Sequence, residues 1–156
     1  MSEESTCLFC LILAGKIPAV KIYETEKTLA FLDINPVADG HTLVIPKVHG
    51  RTILDIPEDY LREIGPALQV VARATGVQDY NILQNNGKLA FQACSLAIGS
   101  HVDHVHFHVV PKPSEEEGLR LKLGVVMNQK QVTKEQLAAV AEEMRARIKV
   151  QQQSSL

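Results

Sequence analysis

The sequence predicts a single domain of mixed helices and strands, and three observations carry that expectation. Five short segments are rich in β-branched and aromatic residues, and the last of them alternates apolar residues with histidines. The stretch from Pro57 to Thr75 places Leu61, Ile64, Leu68 and Val71 at the spacing of one helical face. Finally, 156 residues are enough chain for one real core, and neither an internal repeat nor a linker interrupts them.

Taken in order, Cys7-Leu8-Phe9-Cys10-Leu11-Ile12-Leu13-Ala14-Gly15 reads as a short apolar helix, with Ser5 or Thr6 to cap it and Gly15 to close it. Lys21-Ile22-Tyr23-Glu24 and Thr28-Leu29-Ala30-Phe31-Leu32 read as two strands joined by a charged turn. Asp33 to Gly40 is a loop by its Asn-Pro and Asp-Gly pairs. His41-Thr42-Leu43-Val44-Ile45-Pro46 is a strand with a proline at its exit, and the long helix over Pro57–Thr75 is stopped by Gly76. Asp79 to Gln84 is a fourth strand running into Asn85-Asn86-Gly87, and Ala90 to Ser100 is small and apolar without a clear period. An acidic stretch around Glu115–Gly118 reads as mobile. Thr133 then caps a last helix over about 133–149, with Leu137, Val140, Ala141, Met144 and Ile148 on one face, and 151–156 is a frayed tail.

The fifth strand is the informative one. In His104-Val105-His106-Phe107-His108-Val109, the period of two sends three imidazoles to one face and Val105, Phe107 and Val109 to the other. Half of the chain's six histidines fall in that five-residue window. Three readings compete. A solvated polar face is the blandest. A metal site is the second, although residues at i and i+2 lie roughly 6.6–7 Å apart along a strand, so all three histidines would converge only if it bent. The third is catalysis, one imidazole acting as nucleophile or general base while the others orient it and hold an anion.

Composition narrows the class. Apolar residues make up 46% and charged residues 22%, as in an ordinary globular protein. A formal net charge of −2 argues against a broad basic surface for nucleic acid, and no apolar run approaches bilayer length, so neither nucleic acid nor membrane is expected as a partner. The acidic Met1-Ser2-Glu3-Glu4 does not read as a secretory signal. Three cysteines, two of them in a Cys-x-x-Cys, suggest a reducing compartment rather than a disulfide framework. The expectation is an enzyme or binding protein of the cytoplasm, and of the nucleus as well.

Several motifs in one order then converge. Ile17-Pro18, Phe31-Leu32-Asp33-Ile34, Gly40-His41-Thr42-Leu43-Val44-Ile45-Pro46-Lys47-Val48-His49, Asn85-Asn86-Gly87 and His104-Val105-His106-Phe107-His108 resemble the histidine-triad (HIT) nucleotide-binding family, in particular its Hint-like branch, from Cys7 to about Pro111. The resemblance implies an α+β fold: a five-stranded antiparallel sheet with one long helix and a short N-terminal helix, paired in a homodimer. It implies one HIT domain over 1–156, with its core at about 7–112 and a C-terminal extension. It also implies a purine nucleotide pocket, with cleavage at the α-phosphorus of nucleoside phosphoramidate-type substrates to release AMP or GMP. By position, His106 is then the nucleophile that forms a nucleotidyl-histidine intermediate. His108 contacts the phosphate and leaving group, and His104 and His41 support the triad. Asp33 accepts from the ribose hydroxyls. Leu8, Phe9, Ile12, Leu32 and Ile34 line the base, and Asn85 and Gln92 meet the phosphate. Such chemistry requires no cofactor, because an imidazole is nucleophilic at neutral pH and a good leaving group from phosphorus. Duller readings stand beside these: Asp33 as a loop carboxylate, Phe9 and Ile12 as core, Asn85-Asn86-Gly87 as a plain turn.

Cys7 and Cys10 have metal-ligand spacing, and zinc needs two further ligands. The resemblance supplies them as His49 and His104, which makes a structural Cys-Cys-His-His zinc one reading; two small apolar residues on a buried helix face are the other. The pattern breaks after Gln92. Residues 93–100 intervene before His101 and read as an insertion in the phosphate loop, unless Gly99-Ser100-His101 forms that loop with Ser100 in place of the glutamine. A loop tolerates added length in stability terms, whereas catalysis is sensitive to misplacement of about an ångström. Two alternatives to the phosphoramidase therefore remain: a nucleotide-binding or scaffold protein with turnover lost through the insertion, and a dinucleoside polyphosphate hydrolase.

Overall fold

A computed structural model describes residues 6–92 and 102–119. The elements are α1 (Leu8–Leu13), β1 (Lys21–Glu24), β2 (Thr28–Leu32), β3 (Thr42–Pro46), α2 (Glu58–Ala74), β4 (Tyr80–Gln84) and β5 (Phe107–Pro111), with single 3-10 turns at Ile53–Asp55 and Lys88–Ala90. The five strands form one sheet in the order β1-β2-β3-β5-β4, and every neighbouring pair is antiparallel. The helix expected over 133–149, its cap Thr133, Ser100 and the 93–100 insertion all lie outside the described residues.

β2 and β3 are buried along nearly their whole length because the sheet is covered on both faces. The period of two then sorts their side chains. Ala30, Val44, Phe107 and Val109 meet Ile64, Ala67, Val71 and Ala72 of α2 on one face. Leu29, Phe31, Leu43 and Ile45 meet Phe9 and Ile12 of α1 on the other. α2 contains Pro66, yet its apolar stripe is kept, with Leu61 and Leu68 packed partly buried against the same core. Gly76 follows the helix with φ +72°, the left-handed conformation expected of a stop.

Three local expectations are corrected. α1 is capped at Cys7, with no side-chain cap bond, so Thr6 is not its N-cap; the Cys7 carbonyl accepts from Leu11 N–H instead. The acidic stretch at 115–118 is pinned rather than loose. Lys112 Nζ donates to the carbonyls of Ser114, Glu115 and Glu117, and Gly118 N–H bonds the Val37 carbonyl. The histidine strand is also shorter than its alternation suggested. It begins at Phe107, which pairs with Val44 and Gln84, so only His108 lies within it. The ladder with β3 would next use Pro46, which has no N–H to give. Upstream, His104 N–H turns back to Val102 O, and Val105 N–H goes to Gly50 O. Alternation nonetheless survives beyond the strand: Val105 stays in the α2-side core, while His104 and His106 are buried against Phe9 of α1.

Candidate active site and metal centre

His104, His106, His108 and His41 are all at most 2% exposed. The sheet register explains the last pair. Leu43 stands opposite His108, and His41 lies two residues before Leu43, so His41 and His108 are diagonal neighbours on one face. Their ring centroids are 5.2 Å apart, and His41 Nε2 lies 3.0 Å from His108 Nδ1. His106 stacks edge-on to His108 at 5.1 Å and to Phe9 at 5.4 Å.

Hydrogen bonds to groups of fixed polarity decide where the ring protons sit. A carbonyl can only accept. His106 Nδ1 lies 2.6 Å from the His104 carbonyl, so Nδ1 carries the proton and, in the neutral ring, Nε2 keeps the lone pair. His104 is the reverse. Its Nε2 donates to Pro46 O at 3.0 Å, which leaves Nδ1 with the lone pair. Val37 N–H donates to His41 Nδ1 at 3.4 Å. A neutral His41 therefore donates from Nε2 to His108 Nδ1, and His108 holds its proton on Nε2. Burial favours that neutral state by pushing the His41 pKa below its ordinary value, against the opposing charge of Asp33.

Asp33 follows β2 and His41 precedes β3, and the strand pairing closes on them through Asp33 N–H to His41 O at 2.9 Å. One Asp33 oxygen, Oδ1, accepts from Asn35 N–H. The other, Oδ2, is buried, lies 3.6 Å from His41 Nδ1 and has no hydrogen-bond partner among the described residues. Burial raises the Asp33 pKa, while the Asn35 amide and His41 pull it back. An orphaned buried acceptor of this kind is costly unless a donor arrives.

The second cluster joins α1 to the residues just after β3 and just before β5. Cys7 Sγ lies 3.5 Å from His104 Nδ1, Cys10 Sγ 3.3 Å from His49 Nδ1, and Cys10 Sγ 3.6 Å from His104 Nδ1. The four ligand atoms all lie within 4.8 Å of one another. Zinc bonds of about 2.3 Å to sulfur and 2.0–2.1 Å to nitrogen, arranged tetrahedrally, put S and N about 3.6 Å apart. The donor set thus fits zinc in chemistry and in spacing. The His104 tautomer fits too: Nδ1 offers its lone pair to the cluster while Nε2–H is fixed by a carbonyl. Burial, with His49 and His106 nearby, pushes the His104 pKa down to about 4 although the Pro46 carbonyl opposes it, so this donor stays unprotonated.

The other expected residues divide. Phe9 and Ile12 are core side chains packed with Phe31 and Leu43, Leu32 is half-buried, and Leu8 and Ile34 are exposed, Ile34 at 87%. Asn85 Nδ2 donates to Phe91 O at 2.9 Å. Gln92 is buried and its amide is engaged by main chain: Oε1 accepts from Gly87 N–H, and Nε2 donates to Arg51 O and Val102 O. These bonds make it a brace across the 87–92 turn and the approach to His104, a use that sequence alone did not suggest. Gly50 was also overlooked. Its carbonyl holds Val105 N–H, and a Cβ there would run into Ile56 Cδ1.

A HIT domain model matches residues 14–115. The chain is 43% identical over 144 residues to the adenosine 5'-monophosphoramidase hnt1 of Schizosaccharomyces pombe, covering 92% of this chain and 99% of that protein. It is 46% identical over 116 residues to the adenosine 5'-monophosphoramidase HNT1 of Saccharomyces cerevisiae, covering 74% and 68%. Among solved structures it is similar to the histidine triad nucleotide-binding protein of Candida albicans, with a TM-score of 0.77, 38% identity and coverage of 91% and 96%. A Bacillus subtilis HIT family member gives 0.75, 34%, 90% and 96%. The chain belongs to the HIT family, and its sheet and helices have the HIT fold.

Proposed function

We propose that this chain is a HIT-type nucleoside phosphoramidase acting on adenosine 5'-phosphoramidate and related purine nucleotide substrates through a nucleotidyl intermediate on His106. The observation that carries the reading is the 2.6 Å bond from His106 Nδ1 to the His104 carbonyl, which in the neutral ring leaves the nucleophilic lone pair on Nε2. In the first step Nε2 attacks the α-phosphorus and the P–N bond breaks. The departing amine takes its proton from the Nε2 of a His108 that enters this step as an imidazolium, and the ring returns to neutral. In the second step water attacks the same phosphorus, the bond to Nε2 breaks, AMP leaves, and the water's proton returns to His108. Two easier displacements replace one difficult one, and no metal takes part in either. The adenosine 5'-monophosphoramidases among the relatives support this substrate class.

Asp33 Oδ2 is the ribose acceptor in this reading, since a ribose hydroxyl is the donor it lacks. Leu8 and Ile34 supply apolar surface to the base, and Phe9 and Ile12 act from beneath by fixing α1. Asn85, with one amide proton still available, meets the phosphate; Gln92 acts by bracing the loop. Cys7, Cys10, His49 and His104 hold a structural zinc, supported by the tetrahedral spacing of their donors. A homodimer is favoured by β4, which lies at the sheet edge with Tyr80 and Ile82 exposed. A cysteine pair held in a metal-ligand set, Cys7 with Cys10, is in keeping with a reducing compartment such as the cytoplasm.

The test is AMP release from adenosine 5'-phosphoramidate by the parent and by His106→Ala. The parent turns over, and the variant loses activity by at least about a thousandfold while remaining folded. Comparable rates in the two proteins would remove His106 from the reaction.

A further inference from the structure

We infer that the Cys7–Cys10–His49–His104 cluster is coupled to the nucleophile: metal held there fixes the peptide unit that sets the orientation and tautomer of His106. The inference rests on the zinc and His106 roles proposed above. It assigns the metal a positioning task in addition to support of the fold.

The connection runs through one planar group. The peptide unit between His104 and Val105 carries two hydrogen bonds pointing opposite ways. Its N–H, from Val105, donates to Gly50 O at 2.8 Å. Its C=O, from His104, accepts the 2.6 Å bond from His106 Nδ1. Both neighbours of this arrangement are cluster ligands. His49 precedes the Gly50 carbonyl, and His104 itself begins the peptide unit, with Nδ1 against both cysteine sulfurs. The chain segments at 49–50 and 104–105 are thus joined twice, once by the backbone bond and once by the ligand side chains. A metal ion closes the second join into a rigid ring. Without it, His49 and His104 meet through weak sulfur–imidazole contacts to Cys10 and an edge contact between their rings, with centroids 5.4 Å apart. The peptide unit then keeps its hydrogen bonds to Gly50 and, through the His104 ring, to Pro46, but loses the rigid closure, and a carbonyl that can tilt within those bonds no longer dictates which His106 nitrogen carries the proton.

α1 adds a second link. Phe9 lies between the two cysteines in sequence and touches both rings, with centroids 5.7 Å from His104 and 5.4 Å from His106. Metal on Cys7 and Cys10 therefore also fixes the apolar wall against which the nucleophile rests.

The experiment uses the full chain with histidine ring nitrogens labelled with 15N, loaded with zinc, stripped by chelation, and as His49→Ala and Ile17→Ala variants. Cobalt uptake, read by its visible absorption, and zinc content report on the cluster directly. Ile17 packs against the core cluster on this side of the sheet without being a ligand, so its truncation lowers stability and leaves the donors intact. Zinc-loaded protein shows His106 as a single tautomer protonated at Nδ1. The stripped protein and His49→Ala show a mixture, with kcat lowered at least tenfold and KM changed less than twofold at a temperature where all forms are folded. Ile17→Ala keeps the single tautomer and the parental kcat.

Metal uptake with identical His106 signals in loaded and stripped protein would overturn the coupling and leave the zinc reading standing. An equal kcat loss in Ile17→Ala would reduce the effect to stability and overturn it likewise. Failure to take up either metal would remove the zinc reading and the coupling together.

Discussion

Asp33, His104 and His106 show how little freedom the side chains of the site have. Asp33 Oδ2 is buried without a donor, and satisfying such an oxygen with a hydroxyl is worth about 1.5–3 kcal/mol when the carboxylate is charged. A substrate lacking the ribose hydroxyls is therefore expected to lose roughly ten- to a hundredfold in kcat/KM, at 1.4 kcal/mol per tenfold. Asp33→Ala should lose a similar factor with the ribose substrate and then no longer distinguish it from the deoxy one. Kinetics of the four combinations check this, and full discrimination retained by Asp33→Ala would place the ribose elsewhere. The histidines obey the same economy of donors. His106 and His104 each spend one nitrogen on a carbonyl, and by opposite choices of nitrogen one ring keeps Nε2 open, as the proposed nucleophile requires, and the other Nδ1, as the proposed metal ligand requires.

At the scale of elements, the site depends on β3 and β5 being held between two helices, and on the turn after β4. Ile45 is fully buried on the α1 side of β3, so Ile45→Ala should cost about 2–5 kcal/mol in chemical denaturation. Gln92→Ala should cost about 1–3 kcal/mol, because Gly87 N–H loses its acceptor and the carbonyls of Arg51 and Val102 lose a donor. The Gln92 variant should also lower kcat, whereas Ile45→Ala should mainly lower stability; a kcat unchanged by Gln92→Ala would show the brace to be irrelevant to the reaction. Much of this was legible in the sequence. The five strands and α2 announced themselves by composition, period and Gly76, while the family resemblance put His41 in support of the triad and offered Cys7, Cys10, His49 and His104 as one of two readings of the cysteine pair. The true start of β5 was not legible, because strand length is set by a partner's donors, and Pro46 lies sixty residues upstream of the histidines. The work of Gln92 and Gly50 was hidden for the same reason. Their bonds go to main chain far away in sequence, which no local pattern records.

The whole molecule carries a pH signature from burying so many imidazoles. The His104 pKa falls from its ordinary 6.5 to about 4 in the folded protein. Above pH 6.5 both folded and unfolded chains keep it neutral, and it makes no difference to stability. As the pH falls below 6.5 the unfolded chain takes up a proton that the folded one refuses, and the loss is complete below about pH 4. At about 1.36 kcal/mol per pH unit, that gap bounds the loss at about 3 kcal/mol. His41, shifted in the same direction by burial, adds to it. Metal-free protein should therefore have a clearly lower urea midpoint at pH 4.5 than at pH 7.5, and a flat profile would contradict the buried neutral imidazoles. The same architecture exists, in this account, to present one lone pair to phosphorus. The most direct test is the stereochemical course of hydrolysis, using an adenosine phosphoramidothioate of single configuration at phosphorus in 18O-labelled water. Two displacements through His106 predict net retention. Net inversion would mean that water attacks phosphorus directly, with no intermediate on His106.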